Sequence, residues 1–136
     1  MAGPYLHTER KDFAMYLSDF VDYAQQNRGG TLSLDHPNEM LTKGFVVGLV
    51  GTEARMIDLR WLDVADYLDN HWIANEPGLA LGVWFDTAQG LWVLDMCRVH
   101  ATLSQALAAG VIHKQRAVYD LESKKTIFLT VPDLTV

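Results

Sequence analysis

From Thr8 to Gly30 the apolar positions recur at helical spacing: Phe13, Leu17, Phe20 and Ala24 fall on one stripe, with Tyr16 and Val21 at its margins. Asp12, Asp19 and Asp22 lie opposite, as a solvated face would require. Thr8 is placed to cap this helix and Gly29-Gly30 to stop it. The period then shortens. Leu32 and Leu34 alternate with polar residues until Asp35-His36-Pro37-Asn38 breaks the chain. Phe45, Val47 and Leu49 alternate with Val46, Gly48 and Val50. Gly51-Thr52 then forms a turn, and Ala54 to Leu59 a third short strand. Helical spacing returns from Trp61 to Trp72 through Ala65 and Leu68, and Pro77-Gly78 ends that unit.

The stretch LGVWFDTAQGLWVLDMCRVH, Leu81 to His100, predicts a hairpin. Asp86-Thr87-Ala88-Gln89-Gly90 supplies turn formers, with Gly90 suited to positive φ at the exit. If Phe85 opposes Leu91, Val83 meets Val93 on one face and Trp84 meets Trp92 on the other. Both faces of the hairpin are then apolar, so it is covered twice or lends one face to a partner. Thr102-Leu103-Ser104-Gln105 has the form of a capping box and opens an Ala-rich helix through about Ile112. Arg116 to Leu121 and Thr126 to Leu129 make a last strand pair around Glu122-Ser123-Lys124. The order α-β-β-β-α-β-β-α-β-β predicts one α+β domain over residues 1–136. It has a largely antiparallel sheet of six to seven strands and three helices, with residues 1–7 and 131–136 frayed.

Charge narrows the classes of partner. The net charge is −6 and the pI near 5.2. The eleven Lys and Arg residues are scattered, with Lys124-Lys125 the one tight cluster. Duplex-binding proteins need a basic face to neutralise phosphates, so direct nucleic-acid binding is not expected. No apolar run approaches the roughly 20 residues of a membrane span, and Met1 to Glu9 has no secretory pattern. A single cysteine, Cys97, cannot form an internal disulfide; a cytoplasmic setting is expected.

The candidate chemistry is thin. His7, His36, His71, His100 and His113 share no His-x-x-x-His spacing, and Cys97 has no cysteine partner, so no metal site is expected. Cys97 and His100 stand three apart, which on a strand sets them on opposite faces and argues against a thiol-base dyad. Asp86 fits the turn. Asp95 shares the parity of Leu91 and Val93, and a carboxylate on that face needs a partner, with Arg98 or a backbone amide near Thr102 as candidates. Asp95 is therefore expected to anchor the strand-to-helix corner. Gly-x-Gly-x-x-Gly, Walker and Gly-x-Ser-x-Gly patterns are absent from the sequence, and neither catalytic residues nor a cofactor is expected. The strongest surface feature is the segment DLRWLDVADYLDNHW, which gathers Asp58, Asp63, Asp66 and Asp69 against the single Arg60.

The aromatic strand LGVWFD, its Gly-containing turn, LWVLD, the Ala-rich helix and QRAVYDL together cover about Gly78 to Leu129. This set resembles a recurring pattern in small accessory proteins of actinobacterial phages, prophages and plasmids. The resemblance implies a mobile-element setting, whose proteins include anti-CRISPR and other inhibitors of host defence and regulators of replication or transfer. It carries no catalytic residues. Together these features predict a non-enzymatic protein-interaction domain using Asp58, Asp63, Asp66, Asp69, Trp84 and Trp92. Its partner would be a nucleic-acid-binding complex with a basic surface, or a second copy of the chain. Two alternatives stand beside it: a small hydrolase or transferase built near Asp95, Arg98 and His100, and a regulatory module holding a small molecule in an apolar cavity beside Trp84 or Trp92.

Overall fold

A computed structural model describes residues 7–36, 39–71 and 76–129, with side chains from residue 17 onward. The first helix begins at His7, so Thr8 lies within it and does not cap it. The side chains of Phe13 and Tyr16, and Pro37-Asn38 and Trp72, lie outside those descriptions. Helix α1 spans His7–Asn27 and buries Leu17, Phe20, Val21 and Ala24. It ends one residue before the Gly pair. Arg28 takes the left-handed conformation at φ 64° and turns the chain directly into β1, Gly29–Ser33. Gly30 lies within that strand, and Phe20 packs where its side chain would be: a Cβ there would stand 2.9 Å from the Phe20 ring.

The remaining elements follow the expected order: β2 (Phe45–Gly48), β3 (Ala54–Met56), α2 (Trp61–His71), β4 (Leu79–Asp86), β5 (Leu91–His100), α3 (Leu103–Ile112), β6 (Ala117–Asp120) and β7 (Lys125–Phe128). They form an α+β fold with three helices and one antiparallel seven-stranded sheet, ordered β1-β4-β5-β2-β6-β7, with β3 also on β5. Thr102 caps α3 as its sequence predicts, accepting from the Gln105 amide at 3.3 Å. Asp120 builds the β6–β7 turn by accepting from the amides of Glu122 and Ser123, with Lys124 at φ 58°.

Strand β5 is long enough to hold two short partners end to end on one side. Its C-terminal half pairs with β2, Gly48 opposite Cys97, and its N-terminal half with β3, Ala54 opposite Leu94. Residues 49–53 bulge out between them. Thr52 plugs the gap: its hydroxyl accepts from the Met96 amide at 3.1 Å and donates to the Leu49 carbonyl at 2.8 Å. The side chain thus replaces the ladder that the bulge interrupts.

The β4–β5 hairpin is displaced by one residue from the register that Phe85 opposite Leu91 would give. Asp86 pairs with Leu91, Phe85 with Trp92, and Trp84 with Val93. Four residues, Thr87 to Gly90, form the loop. Asp86 holds it by accepting from the amides of Ala88 and Gln89, while the Gly90 amide donates to the Asp86 carbonyl at 2.8 Å. A slip of one residue exchanges faces. Trp84 and Trp92 therefore stand on opposite sides of the sheet, and the expected Trp84–Trp92 pair does not form.

The described helices pack on the face that carries Trp92. There α1 and α2 cover Leu32, Leu79, Leu81, Val83, Leu94 and Met96, and α3 covers Val47 and Val118 through Ala106. By register the second face carries Thr31 and Ser33 from β1, and Ala80, Gly82 and Trp84 from β4. It also carries Val93, Asp95, Cys97 and Val99 from β5, Val46 and Gly48 from β2, and Tyr119 and Phe128 from β6 and β7. Its centre is buried at Val93, Cys97 and Ala80, whereas Trp84, Tyr119 and Phe128 are exposed.

Candidate interaction surfaces

Helix α2 is amphipathic in a way that separates its acids from its core side. Val64, Tyr67 and Leu68 are buried. At about 100° per residue, Leu62, Asp66 and Asp69 point the opposite way, and Asp63 lies on the flank. Asp58, Asp63, Asp66 and Asp69 are all exposed. Arg60 pairs with Asp58 at 3.3 Å, and no ion pair engages Asp63, Asp66 or Asp69 among the described residues. Apolar side chains are set among these acids: Ile57 is 77% and Leu62 60% exposed, and Trp61 is partly open. An open hollow lies beside them, lined by Arg55, Met56, Ile57, Asp58, Arg60, Asp63 and Leu91. The helix is fixed to the sheet by the Tyr67 hydroxyl, which donates to the Thr52 carbonyl at 2.5 Å, and His71 stacks on the Tyr67 ring at 4.2 Å. Burial pushes the Tyr67 hydroxyl well above the ordinary phenol range, so it remains a donor.

The two hairpin tryptophans play different parts. Trp92 is partly buried against the rim of the main core and meets the Phe85 ring edge-on, centroids 5.0 Å apart. Trp84 is 44% exposed on the second face. Only Trp84 is available to a partner.

Asp95, Arg98 and His100 are not brought together. Arg98 and His100 share the helix face, whereas Asp95 is on the second face. Arg98 donates to the Pro77 carbonyl at 2.7 Å and pairs with Glu76, a residue that the hairpin sequence alone does not point to. The expected Asp95–Arg98 anchor is thus absent, and so is a bond from the Thr102 region. Asp95 accepts no hydrogen bond among the described residues. Its carboxyl sits between two glycines: a Cβ on Gly82 would stand 2.5 Å from Oδ1, and one on Gly48 2.7 Å from Oδ2. Burial, aided by the charge of Glu53, raises its pKa from 3.8 to about 7.

Cys97 and His100 lie on opposite faces, as their spacing predicts. The Cys97 thiol is buried, donates weakly to the Ala80 carbonyl at 3.5 Å, and is pushed up by burial and by Asp95, so it stays protonated. Among the described residues no group of three His, Cys, Asp or Glu side chains is placed to hold a metal ion. No helix there is long and apolar enough to cross a membrane. Comparison of the chain with known protein families, curated proteins and solved structures gives no match.

Proposed function

We propose that this chain is a non-enzymatic protein-binding domain that presents the outer face of α2 to a basic surface of another protein. One observation carries the reading. Leu62 and Ile57 are exposed among four exposed aspartates, three of which form no ion pair among the described residues. Exposed apolar side chains give a contact its core, while unopposed carboxylates steer a basic partner toward it and reject acidic ones. A purely solvated acidic helix would have no use for Leu62 on its outermost line. The mobile-element resemblance supports a sharper form, in which the partner is a host defence complex and the basic surface is its nucleic-acid channel, the anti-CRISPR-like case. Separation of Asp95 from Arg98 and His100 weighs against the hydrolase or transferase alternative, and the openness of the α2 hollow against an enclosed small-molecule pocket.

The test compares the wild-type chain with Asp63→Asn/Asp66→Asn/Asp69→Asn as immobilised bait for host lysate at low and high salt. These are exposed positions, so the variant should keep its fold and melting temperature. A partner acting through α2 is retained by the wild type, released by salt, and lost with the triple variant. Equal retention by both baits at both salts refutes the α2 reading. For the sharper form, co-expression should protect a plasmid or phage from interference by the host defence complex, and the triple variant should not protect it.

A further inference from the structure

The second face of the sheet holds a carboxyl that the packing does not require. Asp95 lies across β5 with one oxygen toward each neighbouring strand, a position open to it only because residues 82 and 48 are glycines. The Gln115 Oε1 stands 3.2 Å from the same point over Gly48 that lies 2.7 Å from Asp95 Oδ2. The Gln115 side-chain nitrogen is engaged elsewhere, donating to the His113 carbonyl at 3.1 Å. Two acceptor oxygens therefore converge over Gly48, and no donor among the described residues meets the carboxyl of Asp95. Arg55, which the register places on this face opposite Val93, is turned away to Glu53 at 2.9 Å and Asp86 at 3.4 Å. Enclosed carboxylates are as a rule paired or hydrogen-bonded, so an unpaired one set in a tailored seat calls for a reason.

A group that fills this seat beside the ionised carboxyl would bring positive charge and N–H donors, and it has to be small enough to come down onto a floor of glycine and alanine. An ammonium meets those conditions. It is a compact charge with three rotatable donors and can serve two oxygens on different side chains. A guanidinium prefers both oxygens of one carboxylate, side by side, and here the second oxygen is turned toward Gly82. The surroundings favour an ammonium delivered on a protein. Exposed Trp84 and Tyr119 and partly exposed Val46 and Val99 share this face of the sheet, apolar ground for the residues that flank a lysine.

We propose that Asp95 and Gln115 form a seat for the ammonium of a lysine side chain on a partner protein, whose flanking residues lie on the apolar side chains of the same face, Trp84, Val46, Val99 and Tyr119. This is a second surface, separate from α2, and it stands whether or not α2 receives a partner. The probe is the blocked tripeptide acetyl-Val-Lys-Val-methylamide, with norleucine in place of lysine as the control. The protein carries carboxyl-labelled aspartate, and the titration is followed by NMR at a pH where Asp95 is ionised. The lysine peptide should shift the Asp95 carboxyl resonance saturably, together with the amides of Gly48 and Gly82, and the norleucine peptide should not. Asp95→Asn should abolish the response of those amides. Gln115→Leu, which keeps the carboxyl, should weaken binding roughly tenfold, the effect of one hydrogen bond to a charged group. No saturable shift with the lysine peptide, an equal response to norleucine, or undiminished binding by Asp95→Asn each overturns the proposal.

Discussion

Asp95→Asn should make the protein more stable at neutral and alkaline pH, and by an amount that depends on pH. The side chains are nearly the same size, so the seat between Gly48 and Gly82 is kept and only ionisation is removed. In the unfolded chain Asp95 titrates near its ordinary 3.8, and in the fold at about 7. Below the lower value both states hold the proton, and Asp95 costs nothing. As pH rises, the unfolded chain gives up its proton first, so wild-type stability falls between about pH 4 and pH 7 and is level above that. At about 1.4 kcal/mol per pH step, the full interval places the ionised fold about 4 kcal/mol below the asparagine variant, an upper value because part of the side chain meets water.

The assay is urea unfolding of both proteins, followed by tryptophan fluorescence and circular dichroism from pH 4 to pH 9. All other titrating groups are common to the pair, so the difference curve isolates Asp95. It should start near zero at acid pH, climb through the interval, and reach several kcal/mol by about pH 8 with an unchanged denaturant slope. A variant that is less stable at pH 8 would mean the carboxylate has a stabilising partner after all, and a difference independent of pH would mean the charge is not what matters.

Four further substitutions probe the frame around this site. Thr52→Val keeps the shape of the plug between β2 and β3 but leaves the Met96 amide without its acceptor. It should cost about 1–3 kcal/mol in urea melts. Trp92→Ala should cost about 2–4 kcal/mol because it removes core contact and the Phe85 edge. Trp84→Ala, on an exposed ring, should cost clearly less, and equal melting temperatures for the two would contradict the register. Gly82→Ala places a Cβ where Asp95 Oδ1 lies and should destabilise the wild type. In an Asp95→Ala background its cost should fall by at least about 1 kcal/mol, and purely additive effects in that double-mutant cycle would deny the contact.

Element type and order were legible because each segment carries its own period. Helix α3 was legible to the residue, since Thr102 supplies both a breaker and a cap. Two features were not legible, and both depend on contacts between distant parts. The division of one strand position between β2 and β3 rests on Thr52 reaching Met96, 44 residues away, which no local pattern announces. The pairing of Arg98 with Glu76 and the Pro77 carbonyl likewise joins distant positions, on the face opposite Asp95. Of the interaction residues, the α2 aspartates and Trp84 are exposed as a binding role requires, because helical and strand parity set their direction. Trp92 is not, because its face depended on a loop length that Gly90 permits in more than one form.

That loop length decides more than one ring. Had Phe85 faced Leu91, Asp95 would have faced Leu81, and a branched side chain would have filled the space that its carboxyl now uses. With Asp86 kept in the ladder, Gly82 comes opposite Asp95, and Leu81 comes opposite Met96 in the main core. The same displacement sends Trp92 to the core beside Phe85 and Trp84 to the second face. The turn chemistry of Asp86, the glycine at 82 and the enclosed carboxyl at 95 are therefore one arrangement. Gly48 completes it from the other side, although its strand is joined to β5 by a different part of the chain. Small residues on two strands, both converging on one acid that has no hydrogen-bond partner among the described residues, are difficult to explain as packing alone, since alanine at 82 and 48 with an apolar residue at 95 would fill the same space without an ionisable group. Folding therefore retains a charge at a cost, and a partner's cation is what would offset it.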